Sequence, residues 1–132
     1  GIGIEWRRAV IVGRSFVVGK PVAMMLLRRN ATVTTCHRKT KELAALCRGA
    51  DILIVAAGSP RLIKEECFAP GQVIVDVGIN VDENGSLCGD VDFAAAEGAV
   101  CAITPVPGGL GRVTTVVLAK HVVAAASALR EV

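Results

Sequence analysis

A chain of 132 residues, 52% hydrophobic and 20% charged, has the composition of one well-packed globular domain and not of a disordered segment. At that length, folding removes roughly two-thirds of the unfolded chain's surface from water. The net charge of +3 comes without a basic run, and aromatics make up only 3%, which argues against a nucleic-acid groove and a base-stacking surface.

The first apolar run, Ala9 to Val12, is read as a strand feeding Gly13-Arg14-Ser15 and then a helix from about Pro21 to Arg29. Gly13 and Gly19 are expected to let the backbone turn tightly and approach a ligand. The helix opening near Pro21 is expected to aim free N–H groups at an anion. The middle glycine of a Gly-x-Gly-x-x-Gly fingerprint is replaced here by Ser15, so the loop alone is a weak signal. A second strand covers Thr32 to Thr35, and a helix follows over Thr40 to Cys47 with Thr40 as N-cap. Further strands are expected over Ile52 to Ala56, Val73 to Val77, and Ala102 with Ile103. Glu65 and Glu66 are read as a short helical turn. Asp82-Glu83-Asn84-Gly85 reads as a turn joining two short extended pieces. The last helix, about Val113 to Leu129, is expected to pack its Ala and Val side chains on the sheet.

Strands that alternate with helices and are apolar throughout suit a parallel sheet buried on both faces. Residues 1–132 are therefore read as one α/β unit: a doubly wound, Rossmann-like, three-layer domain. No uninterrupted apolar run approaches the roughly 18 residues of a membrane span, and no signal-peptide layout is seen at the N-terminus. Five scattered cysteines without a Cys-x-x-Cys read as small hydrophobes in a reducing, cytoplasmic compartment.

Ligands of such sheets sit outside the carboxyl ends of the strands. Four segments would meet there: Gly13 to Ser15, Cys36-His37-Arg38-Lys39, Ala56-Ala57-Gly58-Ser59-Pro60, and Asp76-Val77-Gly78-Ile79-Asn80. A domain built for NAD usually places an acid after the second strand, to accept from the ribose hydroxyls. No acid occurs between Gly19 and Glu42. The strand runs instead into His37, Arg38 and Lys39, with Arg14 on the first turn, a cation cluster that favours the 2′-phosphate of NADP. The same residues also read as a solvated basic loop, and His37 alone carries little weight.

Asp90 and Asp92, with Asp82 and Glu83 nearby, do not have the spacing of a calcium loop, and turns commonly hold such residues. No nucleophile elbow, Ser/His/Asp order or zinc motif appears, and His121 reads as a helix-surface residue. No catalytic or metal-ligating residue is assigned within the chain.

Several motifs, in order, resemble one family. They are Val12-Gly13-Arg14-Ser15 with Val18-Gly19-Lys20-Pro21, Ala31-Thr32-Val33-Thr34 leading to Cys36-His37, and Asp76-Val77-Gly78-Ile79-Asn80. Gly89-Asp90-Val91-Asp92-Phe93 and Thr104-Pro105-Val106-Pro107-Gly108-Gly109 complete the set. Together they resemble the cofactor-binding domain of the bifunctional methylenetetrahydrofolate dehydrogenase/methenyltetrahydrofolate cyclohydrolase (FolD) family over nearly the whole chain.

The resemblance implies that Gly13, Arg14 and Ser15 contact the cofactor phosphates, Arg38 the adenosine ribose or its phosphate, and Ile79 the nicotinamide half. It implies that Pro107, Gly108 and Gly109 face the folate substrate. Many NADP-using members carry serine where this chain has Arg38. A mitochondrial branch with arginine there is associated with NAD assisted by phosphate and magnesium, so both cofactors stay open and NADP is favoured. After Gly111 the family often has Pro-Met, and this chain has Arg112-Val113.

The family's presumed catalytic lysine lies in a Tyr-x-x-x-Lys motif of an N-terminal domain, and this chain contains no tyrosine. The resemblance therefore implies cofactor binding without turnover by this chain, and a folate site shared with a missing N-terminal domain. It also implies a possible homodimer. A non-catalytic dinucleotide-binding module is the alternative, and a Rossmann domain of some other dehydrogenase a further one.

Overall fold

A computed structural model describes residues 1–129; the expected domain end at residue 132 lies outside the described residues. Five parallel strands form the sheet: β1 (Arg8–Val12), β2 (Thr32–Cys36), β3 (Ile52–Val55), β4 (Val73–Asp76) and β7 (Ala102–Ile103), in the order β2-β1-β3-β4-β7. Between β4 and β7 lies an antiparallel hairpin, β5 (Asn80–Val81) with β6 (Leu87–Cys88), built on the expected Asp82 to Gly85 turn. Asp82 Oδ1 accepts from the N–H groups of Asn84 and Ser86 and closes that turn.

Period-two alternation sorts the strand side chains onto two faces. Ala9, Ile11, Ile52 and Ile54 meet Leu26 of helix α1 (Gly19–Leu27). On the opposite face, Val10, Val12, Leu53, Val55 and Ile74 meet Cys47 of α2 (Leu43–Arg48) and Cys67 of a 3₁₀ turn (Glu65–Cys67). That second face also covers Ala96 of the short α3 (Phe93–Ala96), whose N-cap Asp92 accepts from the Ala95 N–H. The central strands β1 and β3 are buried as expected. The edge strand β2 is not, since Thr32, Thr34 and Thr35 are exposed.

Two helix expectations are corrected. α2 begins at Leu43 and not at Thr40, because the Thr40 hydroxyl is engaged by the N–H of His37 in a tight turn. The last helix, α4 (Leu110–Ala128), starts earlier than expected and does not pack on the sheet: it has no buried residue. Its apolar residues are spread around the cylinder, so the pattern marks no single face for the sheet. By length and composition it is apolar enough to cross a membrane (mean hydropathy 1.2), although Arg112, Lys120 and His121 lie on it.

Candidate functional site

The strand order reverses between β1 and β3, which places a crevice at their carboxyl ends. Three turns enclose it: Gly13 to Ser15 after β1, His37 to Thr40 after β2, and Ala56 to Ser59 after β3. The cavity measures ≈ 580 Å³. Gly13, Arg14, Ser15, His37, Arg38 and Ala57 of the expected site line it, together with Thr40, Leu43, Ala56, Ser59 and Leu62.

Gly13 has φ +124°, and a Cβ there would collide with the Ala56 carbonyl, so two strand ends can approach only at a glycine. The Gly13 N–H donates to the Cys36 carbonyl at 2.9 Å and the Ala56 N–H to the Val12 carbonyl at 2.8 Å, which stitches the three turns together.

The N–H groups that open α1 are not free for an anion. Ser15 Oγ accepts from the N–H of Val18 at 3.1 Å and of Gly19 at 3.4 Å, and the Ser15 carbonyl accepts from Lys20. Positive charge over the cavity therefore comes from side chains. Among the described residues the ion pairs are Arg8–Asp51 and Arg61–Asp82, so no carboxylate neutralises Arg14 or Arg38. The turn after β2 is closed by its own atoms. The His37 N–H donates to Thr40 Oγ1 at 2.9 Å, Thr40 N–H to the His37 carbonyl at 2.7 Å, and Lys39 N–H to His37 Nδ1 at 3.1 Å. An accepting Nδ1 leaves the ring proton on Nε2. A crevice this size, with two guanidiniums on its rim that no carboxylate pairs among the described residues, fits the phosphates of a dinucleotide.

Gly19, Pro21, Lys39 and Gly58 are not on the cavity wall. Gly19 is buried at the start of α1, Pro21 and Lys39 are exposed, and the Gly58 N–H turns inward to a carboxylate.

A second cavity, ≈ 190 Å³, lies at the end of β4. Gly78, Ile79, Pro107, Gly108 and Gly109 line it as a group, with Val77, Leu87 and Thr114. Its wall contains the cis Val106-Pro107 peptide, and Ile79 stands 72% exposed at its rim.

Sequence reasoning missed the residues that join the two cavities. Asp76 and Asp90 are both buried. Asp76 accepts from the N–H groups of Gly78, Asp90 and Val91. Burial pushes its carboxyl up from the usual range, and those N–H groups hold it back. Asp90 accepts from the N–H groups of Ala57, Gly58 and Ser59 and from the Asn80 amide. The Asp-Val-Gly-Ile-Asn and Gly-Asp-Val-Asp segments contain Asp76 and Asp90, but nothing in either spacing shows that these carboxylates point inward.

The family profile described as the tetrahydrofolate dehydrogenase/cyclohydrolase NAD(P)-binding domain matches residues 1–130. The "Bifunctional protein FolD" of Carboxydothermus hydrogenoformans is 56% identical over 130 residues, covering 97% of this chain and 45% of that protein. Its namesake from Clostridium botulinum (strain Okra) is 55% identical over 125 residues, covering 95% and 44%. The chain thus spans less than half the length of these curated relatives. Among solved structures, the Campylobacter jejuni bifunctional FolD enzyme superposes with a TM-score of 0.80 at 49% identity, covering 83% of this chain and 39% of that one. The Trypanosoma brucei enzyme, complexed with NADP cofactor and inhibitor, gives 0.78 at 40% identity, covering 86% and 41%.

Proposed function

Because this chain belongs to the tetrahydrofolate dehydrogenase/cyclohydrolase family, as its NAD(P)-binding domain, we propose that it holds NADP for a folate one-carbon enzyme of the cytoplasm. That enzyme oxidises 5,10-methylenetetrahydrofolate to the methenyl form and hydrolyses it to 10-formyltetrahydrofolate. One observation carries the cofactor assignment: Arg14 and Arg38 line one crevice at the strand-order reversal with no carboxylate paired to either among the described residues.

In this reading Gly13 and Ser15 shape the phosphate turn, Arg14 and Arg38 take the 2′-phosphate, and His37 adds an Nε2 donor. The bound dinucleotide supplies the hydride acceptor. Ile79 and the Pro107-Gly108-Gly109 turn orient the reacting rings and exclude water between them. Residues 1–132 act as one cofactor domain. The catalytic lysine belongs to another domain, which shares the folate site and covers the exposed side chains of α4, so this chain alone binds without turnover. A homodimer is the expected assembly.

The family resemblance keeps a second reading open at Arg38, in which NAD binds with free phosphate and magnesium in place of the 2′-phosphate. Calorimetric titration of the chain with NADP and NAD, each with and without phosphate and magnesium, separates the two. The expected result is NADP binding independent of added phosphate, weakened about tenfold or more in Arg38→Ala by loss of a charge-assisted contact. NAD binding only with phosphate establishes the second reading. Binding of neither ends the cofactor assignment for the isolated chain.

A further inference from the structure

The two cavities are walled by different turns, yet one buried carboxylate reaches both. Asp90 is 0% exposed. Its Oδ2 accepts from Ala57 N–H at 2.6 Å and Gly58 N–H at 2.9 Å; its Oδ1 accepts from Ser59 N–H at 2.8 Å and the Asn80 side-chain amide at 2.8 Å. Ala57 and Ser59 line the larger crevice, and Asn80 directly follows Ile79 on the rim of the smaller one. No cation pairs with Asp90 among the described residues, so its interactions are spent on loop shape alone.

The path continues on the other side. The Asp90 N–H donates to Asp76 Oδ1, and the Asp76 N–H donates to Thr104 Oγ1, one residue before the Pro105 to Gly109 turn. A Cβ at Gly78 would collide with the Asp90 carboxylate, so the turn after β4 is pressed directly onto that side chain.

We propose that Asp90 is a positioning residue that locks the turn after β3 to the turn after β4 through Asn80, so that the cofactor crevice and the smaller cavity keep one shared geometry. This rests on the reading of the larger crevice as the dinucleotide site. Asp90 touches neither ligand. It removes freedom from three consecutive backbone groups on one wall and from Asn80 on the other, and a site held in advance binds without the cost of ordering its walls.

Amide hydrogen exchange of the ligand-free chain, followed by NMR, together with NADP titration, tests this on the wild type, Asp90→Asn and Asn80→Ala. In Asp90→Asn an amide N–H₂ faces backbone donors. The Ala57, Gly58 and Ser59 amides then exchange about tenfold faster or more, and NADP affinity falls by a similar factor, as for loss of one charge-assisted bond. Asn80→Ala removes a half-buried side chain that is not on the crevice wall. It lowers the unfolding midpoint modestly through the bond lost to a buried carboxylate, weakens NADP, and speeds exchange at Ser59 by more than it speeds the β1 and β3 amides.

Unaltered Ser59 exchange in Asn80→Ala overturns the proposal, and so does unaltered exchange at Ala57 to Ser59 in a folded Asp90→Asn. Should Asp90→Asn fail to fold, the Asn80→Ala result decides. A wild-type chain that binds no NADP ends the cofactor reading instead, and the ligand-free exchange rates still decide whether Asp90 locks the turns.

Discussion

At the residue scale, burial separates side chains that look alike in the sequence. Cys36, Cys47, Cys67 and Cys88 are buried, and Cys101 is exposed. Burial pushes the Cys36 and Cys67 thiols up, and Cys47, raised first by burial and then by Cys67 and Cys36 beside it, reaches about 12. None of these three forms thiolate near neutrality. With an aromatic disulfide reagent at pH 8, one thiol of the native chain, Cys101, is expected to react quickly and the other four only after unfolding. Rapid loss of a second thiol without unfolding would contradict this packing. The cysteine reading from sequence, as small hydrophobes, survives at four positions, because those four face the interior.

At the scale of elements, α4 behaves unlike the rest. Val113, Val116, Leu118, Val122 and Val123 are all more than half exposed on it. Placing lysine at both Val116 and Val123 should therefore change unfolding stability by no more than about 0.5 kcal/mol, the range of surface substitutions. Self-association and apolar-dye binding should fall. A drop of several degrees in Tm would show instead that α4 is packed. The sheet was legible because Ala9–Val12 and Ile52–Val55 are unbroken apolar runs at strand length, which only double-sided burial explains. The placement of α4 was not, because an apolar helix demands a cover without specifying which surface supplies it. The start of α2 was misread for a local reason: Thr40 has the chemistry of an N-cap, and its hydroxyl closes the preceding turn instead. The crevice followed from strand order and glycine position. The Asp76–Asp90 junction did not, since sequence spacing does not reveal which way a side chain points.

At the scale of the whole molecule, two carboxylates pull acid stability in opposite directions. The hydrogen bond and charge of Arg8 hold Asp51 below the usual carboxylate range, tying the start of β1 to the residue before β3. A carboxyl lowered by folding stabilises above its unfolded value, and that contribution disappears as pH falls through the folded value. Asp76 is raised by burial, so its ionisation costs stability as pH climbs out of the acid range. Asp51→Asn should thus flatten the loss of stability below about pH 4, near the ordinary carboxylate value. Urea unfolding at pH 3 and pH 6 for both proteins measures it, and an equal pH dependence in the two would remove Asp51 from the account. Neither residue touches the turn from His37 to Thr40, whose hydrogen bonds are all internal. Arg38 is carried by that turn, and among the described residues its side chain forms no ion pair in return. Position 38 can therefore be exchanged without a folding penalty, so under the proposed reading the choice of dinucleotide is open to change by a single codon while the scaffold beneath it stays intact.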